Sequence, residues 1–347
     1  MTGRLVRFGF VGIVCALIGF LCGVHVGKDR GIPFVARQYQ WSIGIYTGKS
    51  PLSLGPSDSV SNPVLTAKDV SDVRAESIGD PFMVKHDSTW YMFFEVMNAE
   101  TRQGDIGLAV SPDGLSWSYE RVVLDEPFHL SYPCVFRWEN DYYMIPETLE
   151  ANSIRLYKAD SFPTKWSFVK TILGGCFTDA TILHHEGRWW LFCQTAPGRN
   201  DTLRLYGSDD LMGVFVEHPQ SPIVVGDSNR ARPGGRVLVM HGTIIGRLAV
   251  SPGDPGRGHL VMGDRILRYA QDDYPSYGNA VRAFEITRLT PSSYEEREVA
   301  ESPILSATGT GWNADGMHQV DAYQVGADRW IACVDGCRRT LVFGWEY

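Results

Sequence analysis

The chain has 347 residues, 44% of them hydrophobic, with 36 Gly, 19 Pro, 10 Trp and 15 Tyr. That length suffices for one large domain or two ordinary ones, and the wealth of turn-forming and aromatic residues suits an all-β protein. A formal net charge of −8 with no basic stripe argues against a nucleic-acid backbone as partner.

The N-terminus differs in kind from the rest. From Phe8 to Val24 the chain reads FGFVGIVCALIGFLCGV without a charge, and His25, Val26 and Gly27 extend the run to about the length of a bilayer core. Arg4 and Arg7 precede it and Lys28 and Arg30 follow, so the flanking charges set no orientation. The run reads as an uncleaved membrane anchor that leaves the remaining chain outside the cytoplasm. A cleaved signal peptide is the rival reading, opposed by the length of the run and the lack of a clear A-x-A-like site. Beyond Cys15 and Cys22 inside the run, Cys134, Cys176, Cys193, Cys333 and Cys337 show no paired spacing. Neither a disulfide framework nor a zinc site is indicated, and no metal or cofactor is expected. Cys333 and Cys337 are near enough in sequence to pair, but small buried strand residues are the preferred reading.

A pattern then repeats. With Asp80, Tyr132 and Asp179 as position zero, an aromatic falls at plus ten (Trp90, Tyr142, Trp189) and another follows it (Tyr91, Tyr143, Trp190). These starts stand 52 and 47 residues apart, a degenerate copy begins at Arg232, and another, VDAYQVGADRWIACVDG, runs from Val320. The segments between copies also match one another, so each unit holds four short β runs at a period near 50 residues. Helical periodicity is missing, and β-propeller blades are the implied architecture. WSIGIYTG from Trp41 supplies an outer strand ahead of the first inner one, so the ring is expected to close by pairing the N-terminal segment with the last blade. The Gly-, Pro- and Asp-rich AVSPGDPGRGHLVMGDRILRYAQDDYPSYGN in the fourth unit reads as an inserted loop or hairpin.

In a propeller the first strand of a blade lines the central channel and the second returns beside it. Position zero and the end of the second strand therefore share one face. Asp80, Asp179 and Asp321 are expected at the starts of inner strands, Glu95, Glu147 and Asp335 at the ends of second strands, with Arg232 and His318 among them. Convergent carboxylates are what cleavage of a glycosidic bond requires, one as acid and one to activate water or attack carbon. Tyr132 and Trp312 would stack on sugar faces, while Arg232, His318 and Asp321 would hold substrate. The plainer reading makes each acidic residue a turn cap or a solvated blade end. The aromatic pairs at plus ten and eleven are expected to be blade packing.

SYPCVFRWENDYYMIPET, FTDATILHHEGRWWLF, ARPGGRV and RYAQDDYPSYGNAV together resemble the propeller domain at the N-terminus of plant glucosamine inositolphosphorylceramide transferases and its stand-alone bacterial relatives, over roughly residues 38–347. More distantly, the blade pattern is similar to the five-bladed propellers of arabinanases, β-xylosidases and invertase-like fructosidases. The distant kinship implies carbohydrate chemistry, with Asp80 of GDPF matching the aspartate that serves those glycosidases as base or nucleophile. Tyr132 and Asp179 stand where the glycosidase pattern has an Asp and a Glu, which leaves the acid to Glu147 of IPET. In the plant proteins, sugar transfer is assigned to a separate C-terminal glycosyltransferase domain.

The resulting expectation is an all-β, five-bladed β-propeller preceded by one N-terminal transmembrane helix, with residues 1–30 as anchor, 31–37 as linker and 38–347 as propeller. It would cleave or transfer a glycosidic bond of a cell-surface glycan or glycolipid, with Asp80 as base or nucleophile, Glu147 as acid and Asp179 raising the pKa of the acid by like charge. The alternative is a glycan-binding module that assists a separate glycosyltransferase, since propellers host both.

Overall fold

The structure is a computed structural model that describes residues 18–19, 35–195, 197–247 and 260–343. The expected anchor and linker fall almost wholly outside them. Among the described residues no helix is long and apolar enough to cross a membrane. The chain divides into a compact unit, Trp41–Arg338, and a smaller one of the residues to either side. Within the smaller unit, the Arg339 guanidinium lies 5.2 Å from the centre of the Tyr39 ring.

The strands in chain order are β1 (Val35–Ser50), β2 (Ser53–Pro56), β3 (Ala75–His86), β4 (Thr89–Asn98), β5 (Gly104–Ser111), β6 (Ser118–Leu124), β7 (Ser131–Trp138), β8 (Asp141–Glu147), β9 (Ser153–Ser161), β10 (Lys165–Gly174), β11 (Thr178–His185), β12 (Arg188–Thr195), β13 (Thr202–Ser208), β14 (Val216–Glu217), β15 (Val224–Val225), β16 (Leu238–Arg247), β17 (Leu260–Asp272), β18 (Ala280–Leu289), β19 (Tyr294–Glu298), β20 (Leu305–Ser306), β21 (Val320–Gly326) and β22 (Arg329–Phe343). They form five sheets: β3-β4-β5-β6, β7-β8-β9-β10, β11-β12-β13-β14 with β15 on β13, β16-β17-β18-β19 with β20 on β18, and β21-β22-β1-β2. This is a five-bladed β-propeller. The last blade combines both ends of the chain, which leaves neither terminal strand as an unpaired edge.

The repeat is written by packing. Trp90, Tyr142 and Trp189 are all buried, and each meets the inner strand of the preceding blade. Trp90 stands edge-on to Tyr323 with ring centres 4.9 Å apart, Tyr142 bonds His86 through its hydroxyl at 3.0 Å, and Trp189 stands edge-on to Trp138 at 4.8 Å. An aromatic at plus ten is therefore the wedge between neighbouring blades, and burying one contributes roughly 1.5–3 kcal/mol.

One sequence expectation changes. Of the stretch read as an insertion, Leu260–Asp272 is the second strand of its blade, paired without interruption with β18 from Ile266↔Ile286 to Asp272↔Ala280. Its Gly, Pro and Asp flanks obscured a strand in which Ile266, Leu267, Tyr269 and Ala270 are buried; the loop that follows it is 273–279. The preferred reading of the cysteines holds: Cys333 and Cys337 form no disulfide and are buried strand thiols, Cys134 and Cys193 are buried as well, and Cys176 is exposed.

Candidate functional site

The carboxylates at the two ends of the repeated unit meet because position zero is a bulge. The pairing of inner and second strands skips between Gly79 and Phe82, between Ser131 and Cys134, and between Thr178 and Thr181. At each skip the position-zero residue is left-handed, with φ of 52° at Asp80, 44° at Tyr132 and 47° at Asp179. This conformation costs a non-glycine residue roughly 1–2 kcal/mol. Each bulge turns its backbone N–H toward a carboxylate of the preceding blade, and a charge-assisted bond offsets that cost. Asp80 donates to Asp335 Oδ2 at 3.1 Å, Tyr132 to Asp80 Oδ2 at 3.2 Å and Asp179 to Glu147 Oε2 at 3.3 Å. Two further links close the ring. Arg232 Nε donates to Asp179 Oδ2 at 2.5 Å, and the Val320 N–H donates to the Gly234 carbonyl at 3.0 Å.

Around this ring the charges are unequal. Arg232 also reaches Asp179 Oδ1 at 3.4 Å, and Gln271 Nε2 donates to Asp179 Oδ2 at 2.6 Å. Burial works against the Asp179 charge, but Arg232 outweighs it and holds the carboxyl below the usual range. Glu147 lies 3.9 Å from Arg232 Nη2. Burial first, and then the negative Asp179, push it well above the usual range. One carboxyl of this pair is therefore kept ionised and its neighbour neutral. Across the mouth, His318 Nδ1 lies 2.6 Å from Asp335 Oδ2 and its Nε2 lies 3.5 Å from Asp80 Oδ1. Burial opposes the imidazolium, yet Asp335 and then Asp80 raise its pKa to about 9. Burial likewise raises Asp80 to about 8, against the pull of His318. His318 stacks on Trp41 with ring centres 4.1 Å apart, and Tyr277 stands edge-on to it at 5.2 Å.

Asp80, Glu147, Asp179, Arg232 and His318 thus come together as the sequence implied. Three other expected site residues do not join them. Tyr132 is fully buried, so no sugar can lie on it. Its hydroxyl accepts from the Gly235 N–H at 2.8 Å and sits 2.9 Å from Thr181 Oγ1, so the side chain is spent on contacts with two other blades. Asp321 lies below the mouth. It pairs with Cys333, the level at which Phe82, Cys134 and Thr181 stand in other blades. There it binds Arg236 at 2.8 and 3.0 Å and accepts from the Met83 N–H at 2.8 Å. Counting back ten from Trp330 lands on Val320, so the spacing already set Asp321 apart. Trp312 is used in packing, its indole laid across Gly44 and Gly336, where an added Cβ would approach it to 2.6 and 2.4 Å.

The expectations overlooked Gln271, Trp41 and Tyr277, and they gave Glu95 no role at the site. Glu95 stands at plus fifteen, the position also held by Glu147 and Gln194, and Asp335 lies fifteen residues after Val320. That count was the available signal. Asp80, His318 and Asp335 also offer oxygen and nitrogen atoms within 4.8 Å of one another. The protonated His318 between two carboxyls accounts for that grouping without an ion.

A family model described as glucosamine inositolphosphorylceramide transferase 1, N-terminal, matches residues 36–258 and 249–337. The chain is 34% identical over 319 residues to glucosamine inositolphosphorylceramide transferase 1 of Oryza sativa subsp. japonica, covering 86% of this chain and 40% of that protein. It is 32% identical over 361 residues to the protein of the same name in Arabidopsis thaliana, covering 96% and 44%. The chain therefore spans less than half the length of these curated relatives. The solved catalytic domain of a GH62 α-L-arabinofuranosidase from Coprinopsis cinerea shares the fold, with a TM-score of 0.53, 13% identity and coverage of 86% of this chain and 97% of that one.

Proposed function

Because the chain belongs to the family of glucosamine inositolphosphorylceramide transferase 1 N-terminal domains, we propose that its ring of carboxyls acts on carbohydrate, cleaving or transferring a glycosidic bond of a cell-surface glycan or glycolipid. The observation that carries this reading is the Glu147–Asp179 pair, one carboxyl held neutral and the other ionised in a shared buried site. Glu147 is the acid that protonates the leaving oxygen. Asp179, fixed by Arg232 and Gln271, keeps Glu147 protonated by like charge. Asp80, which has no guanidinium partner among the described residues, is the base or nucleophile. The apolar run from Phe8 to Val24 anchors the propeller at the outer face of a membrane, where such substrates are found.

A binding module is the second reading, favoured by one observation: Asp179, at the mouth, is engaged by Arg232. On that reading the mouth presents a glycan to a separate glycosyltransferase. The deciding experiment incubates the full chain, in mild detergent, with a panel of polysaccharides and glycolipids and follows released sugar by chromatography, with Asp80→Asn alongside. Release that is absent in the variant supports the enzyme. Retention on a glycan without release supports the binding module.

A further inference from the structure

Glu95 differs from every other carboxyl of the ring. Its side chain is 19% exposed, against 9% for Glu147, 8% for Asp80 and 1% for Asp179. Its near partner is His129, whose Nε2 lies 3.5 Å from Glu95 Oε1. The tautomer of that histidine is fixed by the backbone, because the Gly104 N–H donates to Nδ1 at 2.9 Å and leaves the ring proton on Nε2, facing Glu95. Burial depresses the His129 pKa and keeps the ring neutral. Gly104 is required here, since a Cβ would come within 2.2 Å of the Leu130 carbonyl oxygen and would also crowd His129 at 2.9 Å and Glu95 Oε1 at 3.0 Å.

We propose that Glu95, steadied by His129, is the group through which the ring exchanges protons with water. The proposal rests on the enzymatic reading above. When Asp80 activates water, the anomeric carbon gains the water oxygen and the leaving oxygen gains the Glu147 proton. Each turnover then ends with Asp80 protonated and Glu147 ionised. Glu95 accepts the proton from the first and returns one to the second, directly or by way of solvent, so that protons balance over the cycle. Besides His129, the groups that act on Glu95 are His318, Asp179, Asp335 and Arg232, and Asp80, on which Glu95 acts in turn. Burial is the largest influence and lifts its pKa to about 7, where donor and acceptor forms are both populated.

Two measurements test this. The first needs no substrate: the full chain is treated with a water-soluble carbodiimide and an amine at pH 7, and labelled carboxyls are read by peptide mass spectrometry. Glu95 is expected to label about tenfold or more faster than Glu186, whose side chain is 77% exposed. His129→Leu should carry that labelling to higher pH. The second uses whichever glycan the wild type cleaves. Glu95→Gln should lower kcat about tenfold or more with KM unchanged, and added imidazole should restore it. Glu95 that resists labelling at pH 7 overturns the proposal, as does undiminished kcat in Glu95→Gln. A wild type that releases no sugar rejects the enzymatic reading instead, and the labelling result then stands by itself.

Discussion

The Asp179 backbone N–H donates to Glu147 Oε2 at 3.3 Å, while the Asp179 carboxylate, which also meets the Glu147 carboxyl, takes the Arg232 guanidinium at 2.5 Å. One residue thus holds its neighbour with the main chain and its counter-ion with the side chain. Removing either partner has different consequences.

Glu147→Gln keeps a side chain that can accept from Asp179 but has no acidic proton. Sugar release should fall by about 10²–10⁴ while the thermal midpoint changes little. Calorimetry beside the release assay checks both halves, and a large loss of stability would place Glu147 in the scaffold instead.

Arg232→Ala leaves the Asp179 carboxylate buried without its partner and should cost about 3–5 kcal/mol in denaturant unfolding. Adding Asp179→Asn to the same chain should recover a large part of that loss, because the uncompensated charge disappears. Additive losses in the double variant would mean that the two side chains do not act as a pair.

Asp80→Asn should abolish turnover with the fold intact, because an amide oxygen can still accept from the Tyr132 N–H. Far-UV circular dichroism and gel filtration test the fold, and retained release would remove Asp80 from the mechanism.

Stability should decline as the solution is made alkaline. His318 titrates near 9 in the folded protein, against 6.5 as its ordinary value, so its contribution is complete below pH 6.5 and lost as pH rises through 9. Asp80, raised to about 8, acts in the same direction, since its ionised form is penalised in the folded state. The shift at His318 corresponds to a loss on the order of 3 kcal/mol over that window. Unfolding followed from pH 6 to 10 should show the decline, and His318→Gln should flatten it.

Asp321→Ala separates a structural carboxylate from the proposed catalytic ones. It strands Arg236, whose other bonds go to the carbonyls of Val135 and Met83 at 2.8 and 3.3 Å. A loss of about 3–5 kcal/mol is expected, with release per folded molecule unchanged. A folded variant that has lost release would return Asp321 to the mouth.

The sequence alone determined the fold, because blade packing is local and repetitive. An aromatic at plus ten wedges against the preceding inner strand in three successive blades, so Trp90, Tyr142 and Trp189 announced the period and the architecture together. The same count placed Asp80, Glu147 and Asp179 at one mouth. What each carboxyl does there was decided only by contacts between blades. Whether Asp321 faces substrate or Arg236 depends on a bulge present in β3, β7 and β11 and missing from the start of β21. Such a bulge shifts which residue stands at the mouth, and the composition of a strand hardly records it. The exposure of Glu95 depends in the same way on His129, which the chain supplies 34 residues later. Periodicity reports what repeats, whereas charge pairing and access are set by neighbours distant in sequence.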